Sequence, residues 1–222
     1  MSASLHLEIL PPPQRRLWRE LPQVPASFTL YGGTAIALRL GHRSSVDFDF
    51  FSRQAFDPDE LGQRIAFLRD AERIQMAANT LTCRIDRDGP VLVSFFGKVG
   101  LGMAGRRERV DVDGQALFIA SMLDLAGSKA SVVQKRAEAK DYLDIAALIE
   151  HGFDLPTILA AGKIVNGPRF NPLITLKALS YFGDVSSLPA AVRRRLRAAV
   201  AAVDPDHLPA LRPFKPGPRE SP

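Results

Sequence analysis

Cysteine is almost missing from this chain: among 222 residues there is a single one, Cys83. One thiol closes no internal disulfide framework and builds no cysteine-based zinc site, and it fits a reducing compartment. Cys83 itself lies in Leu81-Thr82-Cys83-Arg84-Ile85, where a packed strand residue is expected. Long apolar runs are absent as well. None approaches the roughly 20 residues that a helix needs to cross a bilayer. The opening residues, with His6 and Glu8 among the apolar ones and Pro11-Pro12-Pro13 behind them, do not resemble a secretory leader. The expected address is the cytoplasm, with no membrane partner. Internal repeats are lacking too.

What is present is the make-up of a soluble globular protein of one large or two small domains, 46% hydrophobic and 24% charged, able to bury a core without staples. The formal charge of +5 and a pI near 9.7 favour anionic partners such as nucleotides or RNA. That is an argument about encounter and solubility, and it leaves fold and substrate open.

Along the chain, a helix is expected over 14–21, after the proline run, and a short strand over 27–31 leads into Gly32-Gly33. A helix over 35–40 follows, capped at its start by Thr34 and ended by Gly41 in the left-handed conformation. Residues 46–51 alternate Val46, Phe48, Phe50 with Asp47 and Asp49, so a strand there turns both carboxylates to one face. Asp57-Pro58-Asp59-Glu60 is a helix start, with Leu61, Ile65 and Leu68 on one face of a helix reaching about residue 70. Strands are expected over 80–85, 91–96 and 109–112, the last closed by a turn at Asp113-Gly114. From Ser121-Met122-Leu123-Asp124, a capping box with Asp for Glu, helices dominate: 121–136, 140–150 and 190–203. Prolines 205, 209, 213, 216, 218 and 222 predict an extended, poorly ordered tail.

Two constellations carry chemistry. Gly32 and Gly33 let backbone approach a ligand closely at the positive end of a helix, which holds a phosphate without a lysine. Asp47 and Asp49 repel one another unless something cationic sits between them, and they supply the oxygens that Mg²⁺ ions take when they also contact the phosphates of a nucleotide. A glycine-rich letter match at Gly100-Leu101-Gly102-Met103-Ala104-Gly105 leads into another strand rather than a helix, so a flexible loop is expected there and no dinucleotide site. The basic residues around it (Lys98, Arg106, Arg107, Arg109) and those at 193–195 and 197 read first as solvated faces, with nucleic-acid contact as the alternative.

Tyr31-Gly32-Gly33-Thr34-Ala35-Ile36-Ala37-Leu38, followed by Gly41-His42-Arg43-Ser44-Ser45-Val46-Asp47-Phe48-Asp49-Phe50-Phe51-Ser52, resembles the AbiEii/AbiGii toxin family of nucleotidyltransferases in the DNA polymerase beta superfamily. A second block, Asp124-Leu125-Ala126 through Lys129, Arg136, Lys140-Asp141 and Asp144, is similar to the family's later lysine and aspartate motifs. The resemblance covers about residues 28–150. It implies an α+β fold: a nucleotidyltransferase-type mixed sheet core flanked by helices over 1–118, a helical C-terminal region over 119–205, and the proline-rich tail over 206–222.

It also implies Mg²⁺-dependent (or Mn²⁺-dependent) transfer of a nucleoside monophosphate from a nucleoside triphosphate to a hydroxyl, with RNA, tRNA above all, as acceptor and a cognate antitoxin as partner. Asp47 and Asp49 would hold metal; Gly32, Gly33, Thr34, Arg43, Ser45, Lys129 and Arg136 would bind the nucleotide; Asp47, Asp49, Lys129 and Asp141 would be catalytic. Lys129 and Arg136 can equally pair with Asp141 and Asp144, which lie on the apolar side of their helix and need partners there. One departure stands out. The superfamily places a third carboxylate on a later core strand, where this chain reads Val91-Leu92-Val93-Ser94-Phe95-Phe96 with Ser94 inward. Asp141 is the favoured substitute, with Asp111, Asp113 or metal activation alone as the others. The alternatives in function are a catalytically silent nucleotide- or RNA-binding protein and transfer to a protein hydroxyl.

Overall fold

A computed structural model describes residues 5–185 and 187–215. In chain order its elements are α1 (Pro12–Trp18), β1 (Thr29–Tyr31), α2 (Gly32–Leu40), β2 (Asp47–Phe51), α3 (Pro58–Arg64), β3 (Glu72–Ala77), β4 (Thr80–Asp86), β5 (Pro90–Phe96), β6 (Glu108–Val112), β7 (Gln115–Ile119), α4 (Met122–Val132), α5 (Ala139–Glu150), α6 (Leu155–Asn166), α7 (Pro172–Ser180) and α8 (Ala190–Ala201). The chain divides into two compact units, one taking in residues up to Gly100 and Arg107–Ala120, the other Leu101–Arg106 and Ser121–Pro216.

The first unit is a mixed sheet in the order β3-β4-β5-β2-β1-β7-β6. β1/β7 and β2/β5 are parallel and the remaining pairs antiparallel. Alternation decides which face is core. Phe48, Phe50, Leu81, Cys83, Ile85, Val91, Val93 and Phe95 are all buried on one side, with Phe50 stacked on Phe95 at 5.4 Å and Trp18 of α1 at 6.4 Å from Phe48. Each such side chain withdrawn from water contributes about 1.5–3 kcal/mol. Cys83 is the packed strand residue its neighbours predict, and burial pushes its thiol up.

Several local expectations hold. Gly41 ends α2 at φ +64°, Asp57 Oδ1 accepts from the Asp59 and Glu60 amides at 2.9 Å, and Asp113 and Gly114 take positive φ in the β6–β7 turn. Others are corrected. The helix after Asp57 stops at Arg64, because Ile65 turns extended (φ −90°, ψ 117°), and resumes as a 3-10 turn, Ala66–Leu68; Leu61, Ile65 and Leu68 are nonetheless buried together. β3 is an additional strand. All six of its residues are exposed, so neither of its faces enters the core, and its register against β4 shifts between Arg73 and Gln75.

The second unit is helical. Ser121 Oγ caps α4 by accepting from the Asp124 amide at 3.1 Å, whereas the Asp124 carboxylate, instead of completing a capping box, accepts from the Ala104 amide at 2.5 Å. Segment 101–106 is a loop, as expected, and it is tied down at two amides, since Gly102 N also donates to Val165 O at 2.9 Å. α4 and α6 cross where Gly127 meets Ala161 and Gly162. A Cβ on Gly127 would lie 2.7 Å from the Ala161 backbone, so Gly127→Ala is expected to destabilise the unit by about 1–3 kcal/mol through overpacking, read from its denaturant midpoint. Of the tail, the described part has no regular element, and its Phe214 amide donates to Met103 O at 2.7 Å; residues 216–222 of the predicted tail lie outside the described residues. Among the described residues no single helix is long and apolar enough to cross a membrane.

Candidate active site

The first constellation forms within the first unit. β1 runs without a connecting loop into α2, whose start at Tyr31 has no side-chain cap. Gly32 takes φ +77°, and a Cβ there would stand 2.5 Å from Asp49 Oδ2. Only a residue with no side chain lets the first turn of α2 lie directly against that carboxylate. Gly32→Ala meets both strain at positive φ and this clash, so it is expected to cost about 1–3 kcal/mol and to displace Asp49; loss of nucleotide affinity at retained secondary structure is the measurement that checks it.

Thr34 is not the helix cap. It is the third residue of α2, buried to 2% exposure, and its hydroxyl donates to Asp47 O while pairing with Ser45 Oγ at 2.6 Å. Its hydroxyl is thus spent in fixing the first residue of β2 to α2, and Ser45 is fixed with it. Arg43, half-buried in the connecting loop, donates from Nη1 to Ser44 O at 2.9 Å. Asp47 and Asp49 share one half-buried face of β2, opposite Phe48 and Phe50.

The position expected to hold a third carboxylate is Ser94. It pairs in register with Asp49, and on its other side Thr82 Oγ1 of β4 donates to Ser94 Oγ at 3.2 Å. Asp111 and Asp113 serve the hairpin turn, Asp111 accepting from the Gly114 amide at 3.0 Å. Among the described residues no three His, Cys, Asp or Glu side chains gather as a metal cage. A pair of hard carboxylate oxygens against a side-chain-free turn is nevertheless a donor set that suits Mg²⁺, which commonly takes one or two protein carboxylates and fills its shell with phosphate and water.

The second block, Asp124 to Asp144, forms an ion cluster within the second unit. Lys129 Nζ on α4 lies 2.7 Å from Asp141 Oδ1 and 2.8 Å from Asp144 Oδ2, both on α5 and both wholly buried. Arg136 Nε adds a bond to Asp141 Oδ2 at 2.8 Å, and its Nη2 one to Oδ1 at 3.2 Å. Burial pushes the Asp141 carboxyl up, but the Arg136 hydrogen bond and the Lys129 charge outweigh it and hold the group below its ordinary value. Asp124 shows the opposite balance: burial raises it beyond what its bonds to Ala104, Ser121 and Gly105 offset.

The basic runs are largely spent in the structure. Arg195 is bidentate to Glu150 at 3.0 and 3.1 Å, Arg193 Nε donates to Leu188 O, and Arg197 lies over Phe182. Arg107 donates to Ala26 O and stacks 4.0 Å over Phe118. The tie from Thr34 to the Asp47 backbone and the Thr82–Ser94 pair were hidden from sequence, since each depends on a register between separate segments.

A profile of the family "Nucleotidyl transferase AbiEii toxin, Type IV TA system" matches residues 15–216. The chain belongs to this family. The AbiEii member is a nucleotidyltransferase, and nucleotidyl transfer as a toxin is the activity its family carries. An uncharacterised protein of Aquifex aeolicus (strain VF5) is 32% identical over 162 residues, 71% of this chain and 74% of that one. The solved structure of MenT4, a nucleotidyltransferase toxin from Mycobacterium tuberculosis H37Rv, shares the fold with a TM-score of 0.57 at 17% identity, over 85% of this chain and 82% of that one.

Proposed function

We propose that this nucleotidyltransferase moves a nucleoside monophosphate from a nucleoside triphosphate to a hydroxyl of RNA, with tRNA the first acceptor to test, in the cytoplasm and under the control of a cognate antitoxin. The observation that carries the reading is the turn at Gly32, where the start of α2, which has no side-chain cap, passes so close to the Asp49 carboxylate that a Cβ would stand 2.5 Å from it, on the face Asp49 shares with Asp47. Amides at a helix start favour phosphate, and carboxylate oxygens beside them are the donors that a divalent cation shares with phosphate.

Gly32 and Gly33 then receive the triphosphate through backbone amides, with Arg43 and Ser45 bordering the loop between α2 and β2. Thr34 holds Asp47 in place through its backbone. Asp47 and Asp49 are the ligands for Mg²⁺ or Mn²⁺, which when bound neutralises charge on the phosphates and on the departing pyrophosphate. Serine at 94 cannot take the proton of the attacking hydroxyl as a carboxylate would, which leaves Asp49, its register neighbour, as the acidic group beside it. For Lys129, charge neutralisation toward the phosphates remains the proposed role. Asp141, with both oxygens bonded and its proton affinity lowered, suits the task of holding Lys129 and Arg136 better than that of a base.

Incubation of the full chain with triphosphates labelled at the α or at the γ phosphate, Mg²⁺ and total RNA tests the reading. Label from the α position is expected in RNA and label from the γ position in released pyrophosphate. Transfer of γ label would overturn it, and α label in a protein band would place the acceptor hydroxyl on protein.

A further inference from the structure

The β2 carboxylates stand at one end of a row of polar side chains that crosses the sheet. Register pairs Asp49 with Ser94 of β5, Ser94 with Thr82 of β4, and Thr82 with Gln75 of β3. Strands lie about 4.8 Å apart, so the row leads some three strand spacings away from Asp49 to the sheet edge. Exposure rises along it: Asp49, Ser94 and Thr82 are half-buried and Gln75 is exposed. The hydroxyls are already ordered, because Thr82 donates to Ser94 at 3.2 Å and Ser94 keeps its own hydrogen to donate. Beside this row runs an aromatic one, with Phe51 paired in register to Phe96, the rings edge-to-face at 5.4 Å, and Tyr31 stacked on Phe51 at 5.0 Å.

We infer that this face of β2, β5, β4 and β3 is the track for the acceptor, and that the acceptor is a single-stranded RNA segment whose ribose hydroxyls and phosphates lie along Ser94, Thr82 and Gln75. The inference rests on the nucleotidyl-transfer reading of Asp47 and Asp49, since an acceptor hydroxyl delivered to Asp49 must be followed by chain lying on the adjoining surface. Uncharged donors and acceptors in a line suit ribose, whose 2′-hydroxyl both gives and takes a hydrogen bond. The aromatic rings alongside suit an unstacked base, which is held through its π-face without regard to sequence. A protein segment carrying an acceptor hydroxyl would be expected to pair with the exposed β3 edge through its backbone, whereas the row from Ser94 to Gln75 presents side-chain hydroxyl and amide groups on the sheet face.

Thr82→Val and Gln75→Leu, nearly isosteric changes on β4 and β3, test the inference in the full chain. Each removes hydrogen bonds to the acceptor, so the KM for RNA is expected to rise about 2- to 10-fold per change, with the KM for the triphosphate and circular dichroism unaltered. A fluorescein-labelled single-stranded oligoribonucleotide gives a readout independent of turnover: its anisotropy titration weakens in the same variants, and the oligodeoxyribonucleotide of the same sequence binds less well to the parent chain. A raised triphosphate KM with RNA KM unchanged would assign the face to the donor and overturn the inference, as would unaltered RNA binding in both variants. If the parent chain transfers no label, the reading of Asp47 and Asp49 fails, while the anisotropy series still decides whether this face holds RNA.

Discussion

Asparagine in place of Asp47 is expected to lower turnover by at least about a thousandfold, since the metal's electrostatic contribution to such reactions is several kcal/mol and each 1.36 kcal/mol is a factor of ten. The change is nearly isosteric. Thr34 bonds the backbone oxygen of residue 47, not its carboxylate, so the tie between α2 and β2 survives. Removing one of two like charges from a shared strand face also relieves repulsion. The account therefore predicts an inactive protein at least as stable as the parent, measured as α-label incorporation beside a denaturant curve. An Asp47→Asn protein that turned over within tenfold of the parent would show that this carboxylate holds no essential metal.

Lys129→Met is expected to give the largest stability loss, about 3–5 kcal/mol, the usual result of removing one partner from a buried ion pair. Methionine fills the space of the lysine stem but leaves Asp144 and Asp141, both wholly buried, without the ammonium 2.7–2.8 Å away. Arg136 still bonds Asp141. Adding Asp144→Asn to Lys129→Met should return part of the loss, and a double-mutant cycle by urea denaturation measures it.

The pH dependence follows from the same cluster. A carboxyl held below its ordinary value in the folded state, as Asp141 is, contributes stability that is present above its unfolded pKa of about 3.9 and is lost as pH falls through the folded value. Without Lys129 that folded value rises toward the unfolded one, so the variant should lose less stability to acid than the parent between neutral pH and pH 3. An identical acid response in both would mean that the lysine does not hold Asp141 ionised.

What could be read from the sequence was whatever depends on neighbours in the chain. The period-two pattern at 46–51 gave β2 and its faces, Asp57 and Gly41 marked helix ends because caps are local chemistry, and Ser94 was picked out by the superfamily pattern together with strand alternation. The AbiEii likeness drew on two blocks of such local patterns. What could not be read depends on pairing at a distance. β3 is a strand only because β4 lends it an edge; nothing in Glu72-Arg73-Ile74-Gln75-Met76-Ala77 alternates between apolar and polar in step with a buried face. Thr34 had the residue type of a cap, and the tertiary partner Asp47 O claimed its hydroxyl instead. Segment 101–106 had the glycines of a loose loop, yet amides at Gly102 and Ala104 find acceptors on α6 and α4. Lys129 illustrates both sides: its pairing with Asp141 and Asp144 was one of two readings open from helical spacing, and only the packed helices bring the three together.

The central claim is that Asp47 and Asp49, against the turn at Gly32, hold a metal-bound triphosphate. Electron paramagnetic resonance of Mn²⁺ added with a non-hydrolysable triphosphate analogue tests it most directly. The parent chain should take up Mn²⁺ in the presence of the analogue, and Asp49→Asn, folded by circular dichroism, should leave that Mn²⁺ in solution with the analogue. Uptake of Mn²⁺ by Asp49→Asn or by Asp47→Asn equal to that of the parent chain would contradict the account.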